Sequence, residues 1–114
     1  MYNKRQLGNR YEEWVAAYLT NCGYEIIERN YRCKKGEIDL IARQGGYLVF
    51  VEVKYRADNR FGDPTEAIGL KKQKVIYQVA GYYMLTHGIP DNHPSRFDVV
   101  TILRNEVHLI SDAF

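Results

Sequence analysis

Three side chains carry the strongest chemical signal in this sequence: Asp39, Glu52 and Lys54. Asp39 lies in Gly36-Glu37-Ile38-Asp39-Leu40-Ile41-Ala42, and the other two lie in Tyr47-Leu48-Val49-Phe50-Val51-Glu52-Val53-Lys54-Tyr55, with Gly45-Gly46 between the two runs. Both runs alternate in the manner of strands, and the glycine pair supplies the positive φ angles of a two-residue hairpin turn. Pairing Gln44 with Tyr47 and counting outward places Asp39 opposite Glu52 and Glu37 opposite Lys54. Alternation then projects these four side chains from one face, with Ile38, Leu40, Val51 and Val53 on the other.

Two carboxylates facing each other repel, and the apolar run around Glu52 is an expensive place for charge. A hard divalent cation, Mg²⁺ or Mn²⁺, resolves that conflict, because such ions are held by one or two carboxylates together with waters and phosphate oxygens. An ammonium two residues beyond the second carboxylate can orient a water or stabilise charge developing on phosphate. The same alternation also fits an ion-pair ladder on the wet face of an antiparallel sheet.

The elements that must position these groups follow from periodicity. From about Leu7 to Cys22 apolar residues fall at helical spacing, with a stripe centred on Tyr11, Val15 and Tyr18, Glu12 on its border and Glu13 in solvent. Tyr24 to about Tyr31 reads as a strand, and Arg32 to Gly36 as a turn. After the central hairpin, a long helix is expected from about Thr65 to His87, entered through Asp63-Pro64 and left through Gly88 and Pro90. Gly81 inside it is a weak point, of the kind that marks close packing. Arg96 to Leu103 and Glu106 to Ile110 read as a second hairpin. The order helix, three strands, helix, two strands implies an α/β sandwich on a mixed sheet.

At 114 residues the chain is expected to form a single domain, residues 1–114. Its 46% hydrophobic and 26% charged content disfavours disordered and fibrous classes. No run approaches the ~18 apolar residues of a bilayer span, and the N-terminus lacks a signal-peptide core, so a cytoplasmic location without membrane association is expected. Cys22 and Cys33 are too few for a disulfide framework and read as buried or inert thiols, and His87, His93 and His108 lack zinc-ligand spacing. A net charge of +2 says little, but local basic groups could surround an acidic centre. The loop after Lys54, with Arg56 and Arg60, and the start of the long helix, with Lys71 and Lys74, are the candidate nucleic-acid contacts; a connector loop and solvated surface are the alternatives. Arg96 and Asp98 read as a supporting ion pair, with the sheet's polar edge as the alternative. Ten tyrosines invite base stacking, but Tyr11, Tyr18 and Tyr83 fall on inner helix faces and read as core.

Asp39, the hairpin and Glu52-Val53-Lys54 together resemble the PD-(D/E)XK signature of restriction-endonuclease-like nucleases, with Asp39 standing without the preceding proline. More broadly, Gly8 to Glu12, Asn30-Tyr31-Arg32, Gly36 to Ile41, Phe50 to Lys54, Arg96 to Val100 and Ala113-Phe114 are similar to the YraN-type family of small bacterial proteins. That resemblance covers nearly the whole chain and implies a fold shared with archaeal Holliday junction resolvases: a central mixed five-stranded sheet, an N-terminal helix and a long crossover helix, in the order α-β-β-β-α-β-β. It further implies Glu12 as a helix carboxylate joining Asp39 and Glu52 at the metal, Lys54 as the catalytic lysine, and a homodimer. The activity so implied is metal-dependent hydrolysis of DNA phosphodiester bonds, including those of branched or structured DNA; the alternative is a non-catalytic nucleic-acid-binding protein of the same fold. Fold alone does not choose between them.

Overall fold

The computed structural model describes residues 4–56 and 68–114, with side chains described from Tyr11 to Tyr55 and from Ile68 onward. Seven elements follow in the order expected: α1 (Lys4–Asn21), β1 (Glu25–Cys33), β2 (Gly36–Gln44), β3 (Tyr47–Arg56), α2 (Leu70–Thr86), β4 (Ser95–Leu103) and β5 (Glu106–Ile110). The five strands form one sheet in sequence order. Strands β1, β2 and β3 run antiparallel, β3 and β4 are parallel, and β4 and β5 are antiparallel again. The parallel step is where α2 is interposed, as a parallel connection requires a crossover.

Each face of the sheet is covered by one helix, giving three layers. Val15 and Leu19 of α1 pack with Tyr24, Leu40, Ala42, Val49, Val51, Val100 and Ile102. On the other face, Ile76, Val79, Ala80, Tyr83 and Met84 of α2 pack with Ile38, Ile41, Leu48, Phe50 and Val99. Because β3 lies between two covered faces, Leu48 to Val51 is an unbroken buried run, the pattern of an internal strand.

The central hairpin closes as expected, with Gly45 and Gly46 both at positive φ (57° and 86°) and Gln44 paired with Tyr47. Elsewhere several boundaries move. Strand β1 continues through Cys33, so the turn shrinks to Lys34-Lys35 and Cys33 pairs with Gly36. Gly36 is the glycine that must be one: its φ is +147° and a Cβ there would stand 2.6 Å from Val75 Cγ1 of α2. At Gly81, by contrast, a Cβ would meet nothing within 4 Å, so the close approach of α2 to the sheet is at Gly36 and not there.

Helix α2 begins at Leu70 instead of near Thr65; residues 65–67 lie outside the described residues. Gly69 is its N-cap in an extended conformation, and Ile68 before it turns into the core. Gln73 holds this entry, its backbone N–H donating to the Gly69 carbonyl and its side-chain amide to that of Ile68, both at 2.9 Å. The exit is as expected: Gly88 sits at φ +66° and the Ile89 N–H donates back to the Met84 carbonyl at 2.8 Å, a glycine-terminated helix end. Of the two cysteines read as buried or inert thiols, Cys22 is exposed just past the end of α1 and Cys33 is half-buried, and both are free. Among the described residues no helix is long and apolar enough to cross a membrane.

Candidate metal and phosphate site

The candidate site lies where two strands part. Backbone pairing of β2 with β3 runs from Gln44–Tyr47 to Leu40–Val51. One step further, where Asp39 and Glu52 face each other, side chains take over the bonding. The Val53 N–H donates to Asp39 Oδ2 at 2.8 Å, and the Asp39 N–H points at Glu52 Oε1 at 3.4 Å. Each carboxylate thus caps the neighbouring strand's freed backbone group. Beyond this point β2 stays with β1, through Ile38–Tyr31 and Glu37–Arg32, while β3 stays with β4 as far as Arg56. The expected pairing of Glu37 with Lys54 does not occur; Glu37 instead accepts from Arg32 Nε at 2.7 Å in an exposed ion pair.

The parting coincides with a change of backbone conformation in β1. Asn30, the residue that faces Asp39 in the register, adopts φ +53°, a left-handed conformation that asparagine tolerates better than most residues. The alternation of β2 breaks alongside it. Ile38, expected on the same face as Leu40, packs instead with Ile41 against α2.

Glu12 reaches the site from the other side. The buried stripe of α1 is Val15, Ala16 and Leu19, rotated from the expected Tyr11, Val15, Tyr18 line, and Tyr11 and Tyr18 are only half-buried. Since Glu12 precedes Val15, Ala16 and Leu19 by three, four and seven residues, it shares their face. The Asn30 side-chain amide donates to Glu12 Oε2 at 3.3 Å, and the Glu12 charge bears on Asp39. Even so, among the described residues no three histidine, cysteine or acidic side chains converge as a ready-made metal cage. Asp39 and Glu52 meet, and Glu12 stands beside them.

Electrostatics mark the pair out. Glu52 is only 5% exposed. Burial, and then the negative charge of Asp39, push its proton affinity up to about 8, against the partial relief of the Lys72 charge. Asp39 is also raised, chiefly by burial, while the bond from the Val53 N–H works the other way. Burial holds both carboxyls towards their protonated forms, Glu52 the more strongly because it also faces the Asp39 charge. A pair held in this state gains by exchanging its proton for a cation.

A cavity of about 420 Å³ opens in front of the pair, lined by Asp39, Glu52, Val53, Lys54, Ile68, Gly69 and Lys72. Two carboxylates beside a polar cavity fit a hard divalent cation, which takes few protein oxygens and completes its shell with water and phosphate. Lys54 lines this cavity with an exposed side chain, as expected. Lys71 and Lys74 are exposed on the first turns of α2 and do not line it; Lys72 does. Spacing could have singled out Lys72, since it lies four residues from both Ile68 and Ile76 and so shares the inner stripe. Arg60 and the side chain of Arg56 lie outside the described residues.

A second polar group is structural. Asp98 is 0% exposed and accepts from Tyr24 Oη at 2.6 Å, from Arg96 Nε at 3.0 Å and from the Asp112 N–H at 2.8 Å. Arg96 also donates to the Tyr24 hydroxyl at 3.0 Å and to Gln44 Oε1. Burial first, and then Asp98, push the Tyr24 phenol up to about 12, so it remains a hydrogen-bond donor. The expected Arg96–Asp98 support is therefore a five-residue network tying Tyr24, just past α1, Gln44 of β2 and the C-terminal Asp112 to β4.

A three-layer α/β sandwich whose mixed sheet opens at a facing carboxylate pair, one member buried, with lysines at its cavity, defines the class of protein. The family described as "Uncharacterised protein family UPF0102" matches residues 11–102, and the chain belongs to it. It is 51% identical over 112 residues to a UPF0102 protein of Lachnoclostridium phytofermentans, covering 98% of this chain and 95% of the relative. It is 45% identical to one of Caldicellulosiruptor saccharolyticus over 118 residues (98% and 99%), and 41% identical to one of Clostridium botulinum over 119 (99% and 97%).

Proposed function

We propose that this protein is a divalent-metal-dependent endonuclease acting on DNA phosphodiester bonds within the cytoplasm. The observation that carries the proposal is the Asp39–Glu52 pair at the strand opening, Glu52 buried and Asp39 half-buried, with both proton affinities raised by burial, that of Glu52 further by the Asp39 charge, and a cavity beside it. A structural ion-pair ladder would present each acid to a base across the strand; here the facing groups are both acids, and one of them is buried.

Asp39 and Glu52 would hold Mg²⁺ or Mn²⁺, with Glu12, held by Asn30, as the third carboxylate beside them. The bound ion supplies Lewis-acid polarisation of phosphate and a more acidic water. The remaining work falls to the chain. Lys54, on the exposed side of the cavity, places an ammonium where negative charge develops on the phosphoryl oxygens. Lys72 brings a second cation from α2, which draws a phosphate towards the carboxylates and offsets part of their charge. The Val53 N–H fixes the orientation of Asp39.

The test is cleavage of linear duplex, single-stranded and four-way-junction DNA in Mg²⁺ or Mn²⁺, against EDTA. Cleavage is expected with metal alone, and to disappear in Asp39→Asn and Lys54→Ala. Salt-dependent DNA retention without cleavage would overturn the enzymatic proposal in favour of a binding protein of the same fold.

A further inference from the structure

The turn between β1 and β2 carries two lysines that the proposed chemistry does not use. Lys34 and Lys35 are both exposed and make up the whole of this turn. Gly36, the next residue, fixes where it sits: a Cβ there would stand 2.6 Å from Val75 Cγ1 and 3.4 Å from Val79 Cγ2, so the turn is pressed against one flank of α2. Lys71 and Lys72 precede Val75 by four and three residues and so overhang that same flank. Both are exposed, and Lys72 lines the cavity in front of Asp39 and Glu52.

Two segments distant in sequence thus bring four lysines to the cavity end of α2, on the face of the sheet that α2 covers. The series starts at the carboxylates, since the Lys72 charge works against the raised proton affinity of Glu52. It continues through Lys71 to the turn. Glu37, the acid that follows the turn on β2, is engaged by Arg32 at 2.7 Å. The positive end of the α2 dipole adds to the potential at the same place. From Asp39 back to Lys35 is four residues of extended chain, about 13 Å at ~3.3 Å each. That length matches roughly four base-pair steps of a nucleic-acid backbone at ~3.4 Å per step.

We infer that Lys72, Lys71, Lys34 and Lys35 form a phosphate track that grips the nucleic-acid arm on one side of the phosphate at the carboxylate pair. Ammonium groups on flexible stems follow backbone phosphates as point charges and, unlike base-edge contacts, carry no sequence information. The arm is therefore held whatever its sequence, and the substrate is a nucleic acid that continues past the reacting phosphate along α2 towards the β1–β2 turn. A track that begins inside a cavity suits a strand, which can place one phosphate there, better than a flat anionic surface. The inference rests on the proposed nuclease site and deepens it by naming how its substrate is held.

The full-length protein is titrated in EDTA, where no metal-dependent cutting occurs, against a labelled DNA duplex, and binding is followed by anisotropy from about 50 to 200 mM KCl. The logarithm of affinity should fall linearly with the logarithm of salt concentration. Lys34→Gln, Lys35→Gln and Lys71→Gln should each weaken binding and make that slope shallower by about 1, and the Lys34→Gln/Lys35→Gln pair by about 2. Arg43→Gln removes the same charge from an exposed residue at the other end of β2, beside the Gly45-Gly46 turn, and should leave the slope as in wild type. A duplex of scrambled sequence should bind with the same affinity and slope. An unmoved slope in the Lys34→Gln/Lys35→Gln variant, or an equal change in Arg43→Gln, overturns the inference. Retention of phosphatidylserine vesicles without retention of DNA overturns it as well. Because binding is read without metal, track-dependent binding by a protein that never cuts would sink the nuclease proposal alone, and cutting with an unmoved slope in the paired variant would sink the track alone.

Discussion

Replacing Glu52 by glutamine should make the metal-free protein more stable at alkaline pH while removing its capacity to hold a cation. In an unfolded chain this carboxyl titrates near 4.5, whereas in the folded protein burial and Asp39 raise it to about 8. The folded state therefore holds the proton more tightly than the unfolded state. Stability linked to Glu52 is fully present below about pH 4.5 and is lost as pH rises through about 8. One unit of displacement corresponds to about 1.4 kcal/mol, so the penalty on ionising Glu52 in the fold is a few kcal/mol. Glutamine has nearly the same shape and no charge to bury, and its carbonyl oxygen can still receive the Asp39 N–H. Near pH 8 it should recover about 2–4 kcal/mol, or on the order of 10 °C in melting temperature for a domain of this size. Urea and thermal unfolding, followed by circular dichroism in EDTA at pH 5 and pH 8, measure both effects. Wild type should lose stability between the two pH values and Glu52→Gln should lose much less. Adding Mn²⁺ at pH 8 should stabilise wild type, by about 2.7 kcal/mol at a hundred times its dissociation constant, and leave the variant unmoved. If Glu52→Gln is no more stable than wild type at pH 8, Glu52 is not a strained carboxylate and the electrostatic basis for the site fails.

Asp98→Asn should cost about 2–4 kcal/mol, because it removes the charge that the inner Arg96 guanidinium and the Tyr24 hydroxyl both address; denaturant midpoints measure it. Gly36→Ala should destabilise by about 2 kcal/mol or more, since its backbone lies at φ +147° and the new methyl would overlap Val75. Gly81→Ala should do the opposite and stabilise α2 by about 1 kcal/mol, because nothing occupies the space its Cβ would enter.

The site was legible in the sequence to the extent that local geometry determines it. A two-residue glycine turn leaves a single register for its hairpin, so counting from Gln44 and Tyr47 brought Asp39 to Glu52 without knowledge of the rest of the fold. The order of elements and the crossover of α2 followed in the same way from periodicity. Beyond Asp39 and Glu52 counting failed, because the strands have parted there, and the parting coincides with the left-handed turn of Asn30 in a different strand. That is why Glu37 pairs with Arg32 instead of facing Lys54, and why Ile38 changes face. The start of α2 was placed too early because Asp63-Pro64 is a strong local entry signal, while Gly69, which caps the helix, has no side chain to advertise it. Lys72 was hidden among three lysines of the same composition; what distinguishes it is a position on the inner stripe that matters only once the carboxylates lie beneath it. Tyr11 and Tyr18, expected in the core from their helix positions, are half-buried and pack against its α1 side.

The most direct measurement is a crystal of the protein soaked in Mn²⁺ and examined by anomalous scattering. A peak within coordination distance of both Asp39 and Glu52, absent from an Asp39→Asn crystal soaked in parallel, is the predicted result. Manganese bound elsewhere, or no ion between Asp39 and Glu52 at saturating Mn²⁺, would contradict the proposal that these two carboxyls form a metal site.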